Sequence, residues 1–115
     1  MATTIYHNPR CSKSRQTLQL LNDNDVNAEV IEYLKTPPDA KTLKDILGKL
    51  GLKPRQLMRT KEDIYKELNL DDETLTDEQL IQAMIENPKL IERPIVVKDG
   101  KVAVGRPPEN ILSIL

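Results

Sequence analysis

Pro94-Ile95-Val96-Val97-Lys98-Asp99-Gly100-Lys101-Val102-Ala103-Val104 sets two short apolar runs on either side of an Asp-Gly pair. β-Branched residues suit a pleated, half-buried surface. An Asp-Gly connection suits a type I′ turn, whose two central residues both need positive φ. The stretch therefore predicts an antiparallel hairpin near the end of the chain. Gly105-Arg106-Pro107-Pro108 closes its second strand, and Glu109 to Leu115 are expected to form a last short helix.

Upstream of the hairpin the period changes from two to that of a helix. Thr76-Asp77-Glu78-Gln79 has the form of a capping box, Leu80, Ile81, Met84 and Ile85 form the stripe behind it, and Asn87-Pro88 closes the helix. Further back, Thr36-Pro37-Pro38-Asp39 is a stop and a fresh start. Leu43, Ile46, Leu47 and Leu50 follow as an apolar stripe, with Gly51 as the C′ residue. Between these helices Pro54 is expected to open a short one carrying Leu57, Met58 and Arg59. A further piece should present Ile64 and Leu68 on one face.

At the other end, Thr3-Thr4-Ile5-Tyr6 has strand character, Leu18 and Leu21 follow Ser14 at helical spacing, and Asn22-Asp23-Asn24-Asp25 breaks the pattern. Ala28-Glu29-Val30-Ile31-Glu32-Tyr33-Leu34 resumes as a strand. Strand, helix and strand joined this way make a right-handed βαβ unit. The order is thus βαβ, a block of helices, then ββα. With the block set aside, this is an α/β thioredoxin-like core with a mixed four-stranded sheet. The chain reads as one domain over residues 1–115, with a helical insertion at about 38–88 between the second and third strands. A flavodoxin-like parallel sheet would need more βα units than the chain holds.

The chain has 115 residues and a formal net charge of −1, which argues against a dominant nucleic-acid or acidic-membrane surface. No long apolar run or signal-peptide pattern is present, so a cytoplasmic protein is expected. One cysteine forms no internal disulfide and excludes a zinc-ribbon site, so no metal is expected. Without Trp or Phe the core must come from Leu, Ile, Val and Met. A monomer with no tightly bound cofactor is expected.

The lone thiol, Cys11, lies in Tyr6-His7-Asn8-Pro9-Arg10-Cys11-Ser12-Lys13-Ser14-Arg15. Asn8-Pro9 supplies a turn after the first strand, so Cys11 falls at a helix start. There, unpaired amides and the positive end of the dipole favour thiolate. Arg10, Lys13 and Arg15 add local positive charge. A lone cysteine is more often a small buried hydrophobe, yet a packing cysteine should have apolar neighbours and this one has cations and serines. Ser14 stands where a Cys-x-x-Cys motif needs its second thiol, and Thr17 where a phosphatase-type loop needs arginine. A monothiol nucleophile resolved by external thiols remains. In such a core the pair opening the third strand faces the active-site helix. Arg93-Pro94 would then face Cys11, with Pro94 as the cis proline. Gly105 would let the chain turn sharply and aim Arg106 at the same place. Each arginine alone reads as a solvated surface residue. Arg59, Arg93 and Arg106 together suggest an oxyanion clamp, because guanidinium forks match tetrahedral anions.

His7-Asn8-Pro9-Arg10-Cys11-Ser12-Lys13-Ser14-Arg15, Leu57-Met58-Arg59, Glu92-Arg93-Pro94-Ile95-Val96-Val97 and Gly105-Arg106-Pro107 together resemble the glutaredoxin-linked arsenate reductase family, in its bacterial housekeeping branch. The likeness runs nearly end to end. It implies Cys11 as nucleophile, with Arg59, Arg93 and Arg106 binding arsenate and the arsenic adduct. His7 matches a family histidine that influences the cysteine; its other reading is a strand-end residue in a local hydrogen bond. Ser14, Arg15 and Pro94 are expected to support the site. The resemblance further implies glutathione as co-substrate and glutaredoxin as partner. Arg10, Ser12 and Lys13 depart from the small residues of plasmid-borne members. Two other readings stay open: a glutathione-dependent thiol–disulfide oxidoreductase, and a regulatory binding module, since family relatives include regulators that contact RNA polymerase.

Overall fold

The computed structural model describes residues 3–115. They fall into two compact units, one formed by the residues up to Thr36 together with Arg93–Leu115, the other by Pro37–Glu92.

The first unit carries the sheet. Strands β1 (Thr3–His7), β2 (Ala28–Glu32), β3 (Ile95–Lys98) and β4 (Lys101–Val104) lie in the order β2-β1-β3-β4. β1 and β2 are parallel, joined through helix α1 (Ser12–Asp23), while β1–β3 and β3–β4 are antiparallel. This is the thioredoxin-like arrangement expected from the element order. Asp99 and Gly100 have φ of 51° and 77°, as the hairpin turn demands. The register places Ile5 opposite Val96 and Val96 opposite Ala103. Those three residues form a buried row across the sheet. Leu21 from α1 joins it, as do Ile111 and Ile114 from a terminal 3-10 helix over Pro108–Ile114. Truncating Ile5 or Leu21 to Ala should cost about 2–5 kcal/mol, because close-packed surroundings relax only partly.

The second unit is helical. Helix α2 (Ala40–Leu50) begins at Asp39, whose side chain accepts from the Thr42 N–H at 2.8 Å, and it ends on Gly51 at φ 67°. Helix α3 (Asp63–Glu67) is short. Helix α4 (Asp77–Glu86) has the Thr76–Gln79 capping box and buries Leu80, Ile81 and Met84. α2 packs against α4, with Leu43, Ile46 and Leu47 on its inner face. No helix among the described residues is long and apolar enough to cross a membrane.

Four details differ from the sequence reading. β2 stops at Glu32 rather than Leu34, because the amides of Lys35 and Thr36 fold back on the Glu32 carbonyl. The helix at Pro54 is a 3-10 turn ending at Leu57. Met58 is extended and bridges to Ile91, and the Arg59 N–H donates to the Leu90 carbonyl at 2.7 Å. Leu68 is exposed, whereas Tyr65 is the buried residue of α3. Tyr6, Tyr33 and Tyr65 are all buried, so the interior uses tyrosine as well as Leu, Ile, Val and Met.

Candidate functional site

Cys11 is the N-cap residue of α1, in extended conformation at φ −96° and ψ 123°. The loop that delivers it is tightly bonded. The Cys11 N–H donates to the Asn8 carbonyl at 3.0 Å, and the Arg10 N–H donates to the Asn8 side-chain oxygen at 3.0 Å. Arg15 donates to the Pro9 carbonyl at 2.9 Å and ties the loop to the helix behind it. Only 8% of Cys11 is exposed.

Burial is the largest influence on this thiol and pushes its pKa up. The Ser14 amide, the Arg93 guanidinium, the Lys13 amide and the Arg106 guanidinium act the other way and win, so the pKa lies below the ordinary thiol value. No close N-cap bond to the side chain forms; the amides act on the sulfur as the oriented positive end of the helix. The neighbours predicted from sequence to supply charge, Arg10, Lys13 and Arg15, are exposed. The cations that act on the thiol come instead from the far end of the chain.

Arg106 Nη2 stands 3.8 Å from Cys11 Sγ, and Arg106 Nε donates to the Arg93 carbonyl at 2.9 Å. Arg93 is half-buried and its peptide bond to Pro94 is cis, as expected from the sequence; the Arg106–Pro107 bond is cis as well. The structure thus brings Cys11, Arg93, Pro94 and Arg106 together in the sheet unit. Arg59 belongs to the helical unit. There its Nη1 pairs with the Glu62 carboxylate at 2.5 Å.

His7 is buried at the end of β1, with Nδ1 2.6 Å from the Ser14 hydroxyl. That hydroxyl already accepts from the Asn8 N–H at 3.0 Å, so its own proton is available to an unprotonated Nδ1. Burial depresses the His7 pKa, Glu32 opposes this, and Arg15 adds to it. His7 makes a local hydrogen bond, which is one of its two sequence readings, and its partner is Ser14, whose amide faces the Cys11 sulfur.

Gly105 plays a different part from the one expected. Positive φ among the glycines is confined to Gly51 and Gly100. What Gly105 supplies is space: a Cβ there would lie 2.4 Å from Thr17 Oγ1 and 2.8 Å from Pro94 Cγ. Sequence reasoning used Thr17 only to exclude a phosphatase-type loop and missed its burial: it is fully buried on α1 beside Ser14. The inner face of that helix is Ser14, Thr17 and Leu21. An apolar search finds only its last member.

Among the described residues no cluster of three His, Cys, Asp or Glu is placed to hold a metal ion. A cleft of about 450 Å³ in the helical unit, lined in part by Lys44, Lys53 and Glu78, contains none of the predicted site residues. What the thiol loop offers chemically is a partly desolvated nucleophile with two guanidinium groups beside it. That arrangement suits attack on a tetrahedral oxyanion.

A family model described as the ArsC family matches residues 6–114. YfgD of Escherichia coli K12, an uncharacterised protein, is 63% identical over 112 residues, covering 96% of this chain and 94% of its own. An arsenate reductase of Neisseria meningitidis serogroup A is 55% identical over 112 residues, covering 96% of each chain. The solved structure of an arsenate reductase from Vibrio cholerae superposes with a TM-score of 0.96 at 54% identity, covering 100% of this chain and 98% of that one.

Proposed function

Because the chain belongs to the ArsC family, we propose that it reduces arsenate to arsenite through an arsenic intermediate on Cys11. Support comes chiefly from one observation: a guanidinium nitrogen of Arg106 stands 3.8 Å from the Cys11 sulfur. A cation so close stabilises the thiolate before reaction and the oxyanion during it.

In this reading the Cys11 thiolate attacks As(V), a hydroxyl leaves as water, and an S–As bond forms. The chain holds one cysteine, so the adduct is resolved from outside. Glutathione displaces a second hydroxyl and binds arsenic through sulfur. A glutaredoxin thiolate then attacks the glutathione sulfur, and the electron pair of that As–S bond passes to arsenic, which becomes As(III). Hydrolysis of the remaining S–As bond frees arsenite and Cys11. The protein acts as a cytoplasmic monomer with no tightly bound cofactor.

Arg93 and Arg106 hold the arsenate oxygens, and the Ser14 and Lys13 amides face the sulfur. Arg59 is assigned to the oxyanion by its match to the family pattern, and in this state Glu62 neutralises it. The test is arsenite formation by purified protein with glutathione and glutaredoxin, with phosphate as competitor. Turnover that needs all three components and is inhibited by phosphate supports the reading. Reduction of mixed disulfides without arsenate reduction would replace it by a thiol–disulfide oxidoreductase.

A further inference from the structure

The contact between Gly105 and Thr17 lies outside this chemistry, yet it adjoins the residue that faces the thiol. Thr17 is held from two directions. Its hydroxyl donates to the Lys13 carbonyl at 2.8 Å within α1 and lies 3.5 Å from the Gly105 carbonyl. Being β-branched, fully buried and hydrogen-bonded, its side chain has little freedom to swing aside. Gly105 is held as firmly, since its N–H donates to the Pro94 carbonyl at 2.9 Å. An added Cβ would meet Thr17 Oγ1 at 2.4 Å, Pro94 Cγ at 2.8 Å and Thr17 Cγ2 at 3.0 Å. The exit of β4 is therefore wedged between a proline ring and the second turn of α1.

We propose that Thr17 and Gly105 form a seat that fixes the spacing between β4 and α1, and with it the distance from the Arg106 guanidinium to the Cys11 sulfur. Both are positioning residues. Cys11 and Thr17 belong to the same helix start, and Arg106 directly follows Gly105, so a shift at the seat passes to the Arg106–sulfur pair with no flexible segment between. Relieving a 2.4 Å contact needs a displacement of about 1 Å to reach ordinary van der Waals separation. A shift of that size costs on the order of a hundredfold in a rate that depends on aligned groups. It also weakens the Arg106–thiolate attraction, lowering the thiolate-to-thiol ratio by about 1.5-fold in a water-like dielectric and about fivefold at an effective dielectric of 20.

The inference rests on the pairing of Arg106 with Cys11 in the proposed function, and the test keeps the two apart. Alkylation of Cys11 by iodoacetamide is followed against pH, a readout that needs no arsenate. Gly105→Ala should move the midpoint to higher pH, and arsenite formation should fall. Thr17→Ala removes both threonine atoms that clash, including the shortest contact, and leaves the 2.8 Å one to Pro94 Cγ, so Thr17→Ala with Gly105→Ala should recover part of the parent profile. If Gly105→Ala does not fold, single changes at Thr17 decide the matter. Thr17→Ala empties the seat and should move the midpoint as well, whereas the isosteric Thr17→Val should restore it. A parent-like profile in folded Gly105→Ala would overturn the seat. So would a double variant no better than Gly105→Ala, or Thr17→Val behaving like Thr17→Ala. A parent protein inactive on arsenate would overturn the functional reading and leave these profiles to decide the seat.

Discussion

Replacing Arg106 by Ala isolates the contact on which the site turns. At 3.8 Å, two unit charges attract by about 1.1 kcal/mol in water and about 4.4 kcal/mol at an effective dielectric of 20. Arg106 is exposed while Cys11 is nearly buried, so the lower figure is the safer one. It corresponds to a roughly sixfold change in the thiolate-to-thiol ratio. Salt does not erase it, since the separation is well inside the Debye length of about 8 Å. A thiolate of higher pKa is also the better nucleophile, with a Brønsted coefficient of about 0.45. The alkylation profile of Arg106→Ala should therefore cross that of the parent. On the acid limb the variant should be about threefold slower, and on the alkaline plateau about twofold faster. Arsenite formation should show no crossing, because the oxyanion contact is lost at every pH. Arg106→Lys should restore the alkylation profile, which needs only a cation, and restore turnover in part, because turnover also uses the planar fork. An alkylation midpoint that stays put or moves to lower pH in Arg106→Ala would sever the guanidinium from the sulfur.

Cys11→Ser should abolish arsenite formation, while Ser14→Cys should permit an internal disulfide, seen by thiol titration, without helping reduction; turnover in the absence of any external thiol would end the proposed cycle. Arg93→Ala and Arg59→Ala should each lower kcat/KM for arsenate by roughly tenfold to over a hundredfold, as expected for a charge-assisted contact of about 1.5–3 kcal/mol that acts in the transition state. Parent-like rates in either variant would remove that arginine from the oxyanion. Stability should rise with pH through two windows. The folded state disfavours protonated His7, chiefly through burial, so the unfolded chain binds that proton more readily and stability is lost as pH falls below the ordinary histidine value. Burial opposes ionisation of Cys11, but the Ser14 amide and Arg93 lead the effects that outweigh it. Its contribution is complete above the ordinary thiol value and fades as pH falls through the depressed folded one. Urea titrations from mildly acidic to alkaline pH check both windows, and His7→Gln and Cys11→Ala should flatten the lower and upper slopes respectively.

What could be read from the sequence is what short-range chemistry determines. Asp99-Gly100 specifies its turn because both residues tolerate positive φ, and Thr76 with Gln79 closes a capping box through bonds three residues apart. Cys11 declared itself as a helix start through the turn residues before it and the spacing after it. Other features are fixed by contacts distant in sequence and leave little local trace. Thr17 is polar and sits in a helix face that an apolar stripe would miss. Its burial makes sense only once Gly105, eighty-eight positions later, lies against it. Met58 carries helix-forming character but pairs with Ile91 in extended form, since tertiary pairing overrides a weak local preference. The local cations Arg10, Lys13 and Arg15 drew the reading towards themselves by proximity along the chain. Proximity in space belongs to Arg93 and Arg106.

That difference in origin bears on how the site works. For each tenfold gain in thiolate, nucleophilicity falls about threefold, and the gain stops once the thiol is ionised. Depressing the thiol pKa is therefore a weak lever by itself, and a cluster of lysines beside the cysteine would supply little more. A guanidinium held in place can also meet an oxyanion whose charge grows as the sulfur attacks, and that interaction has no such ceiling. Holding the group requires anchoring from outside the thiol loop. Arg106 has it, through the bond from its Nε to the Arg93 carbonyl and through the backbone packed at Gly105. The cations next to Cys11 in sequence sit on the loop and first turn that carry the thiol itself, so they move with it. Arg93 and Arg106 flank the third and fourth strands and are tied to one another by the Arg106 Nε–Arg93 carbonyl bond. The hairpin that identifies the fold is thus the element that delivers the two arginines, and its position against α1 sets how well they meet the anion.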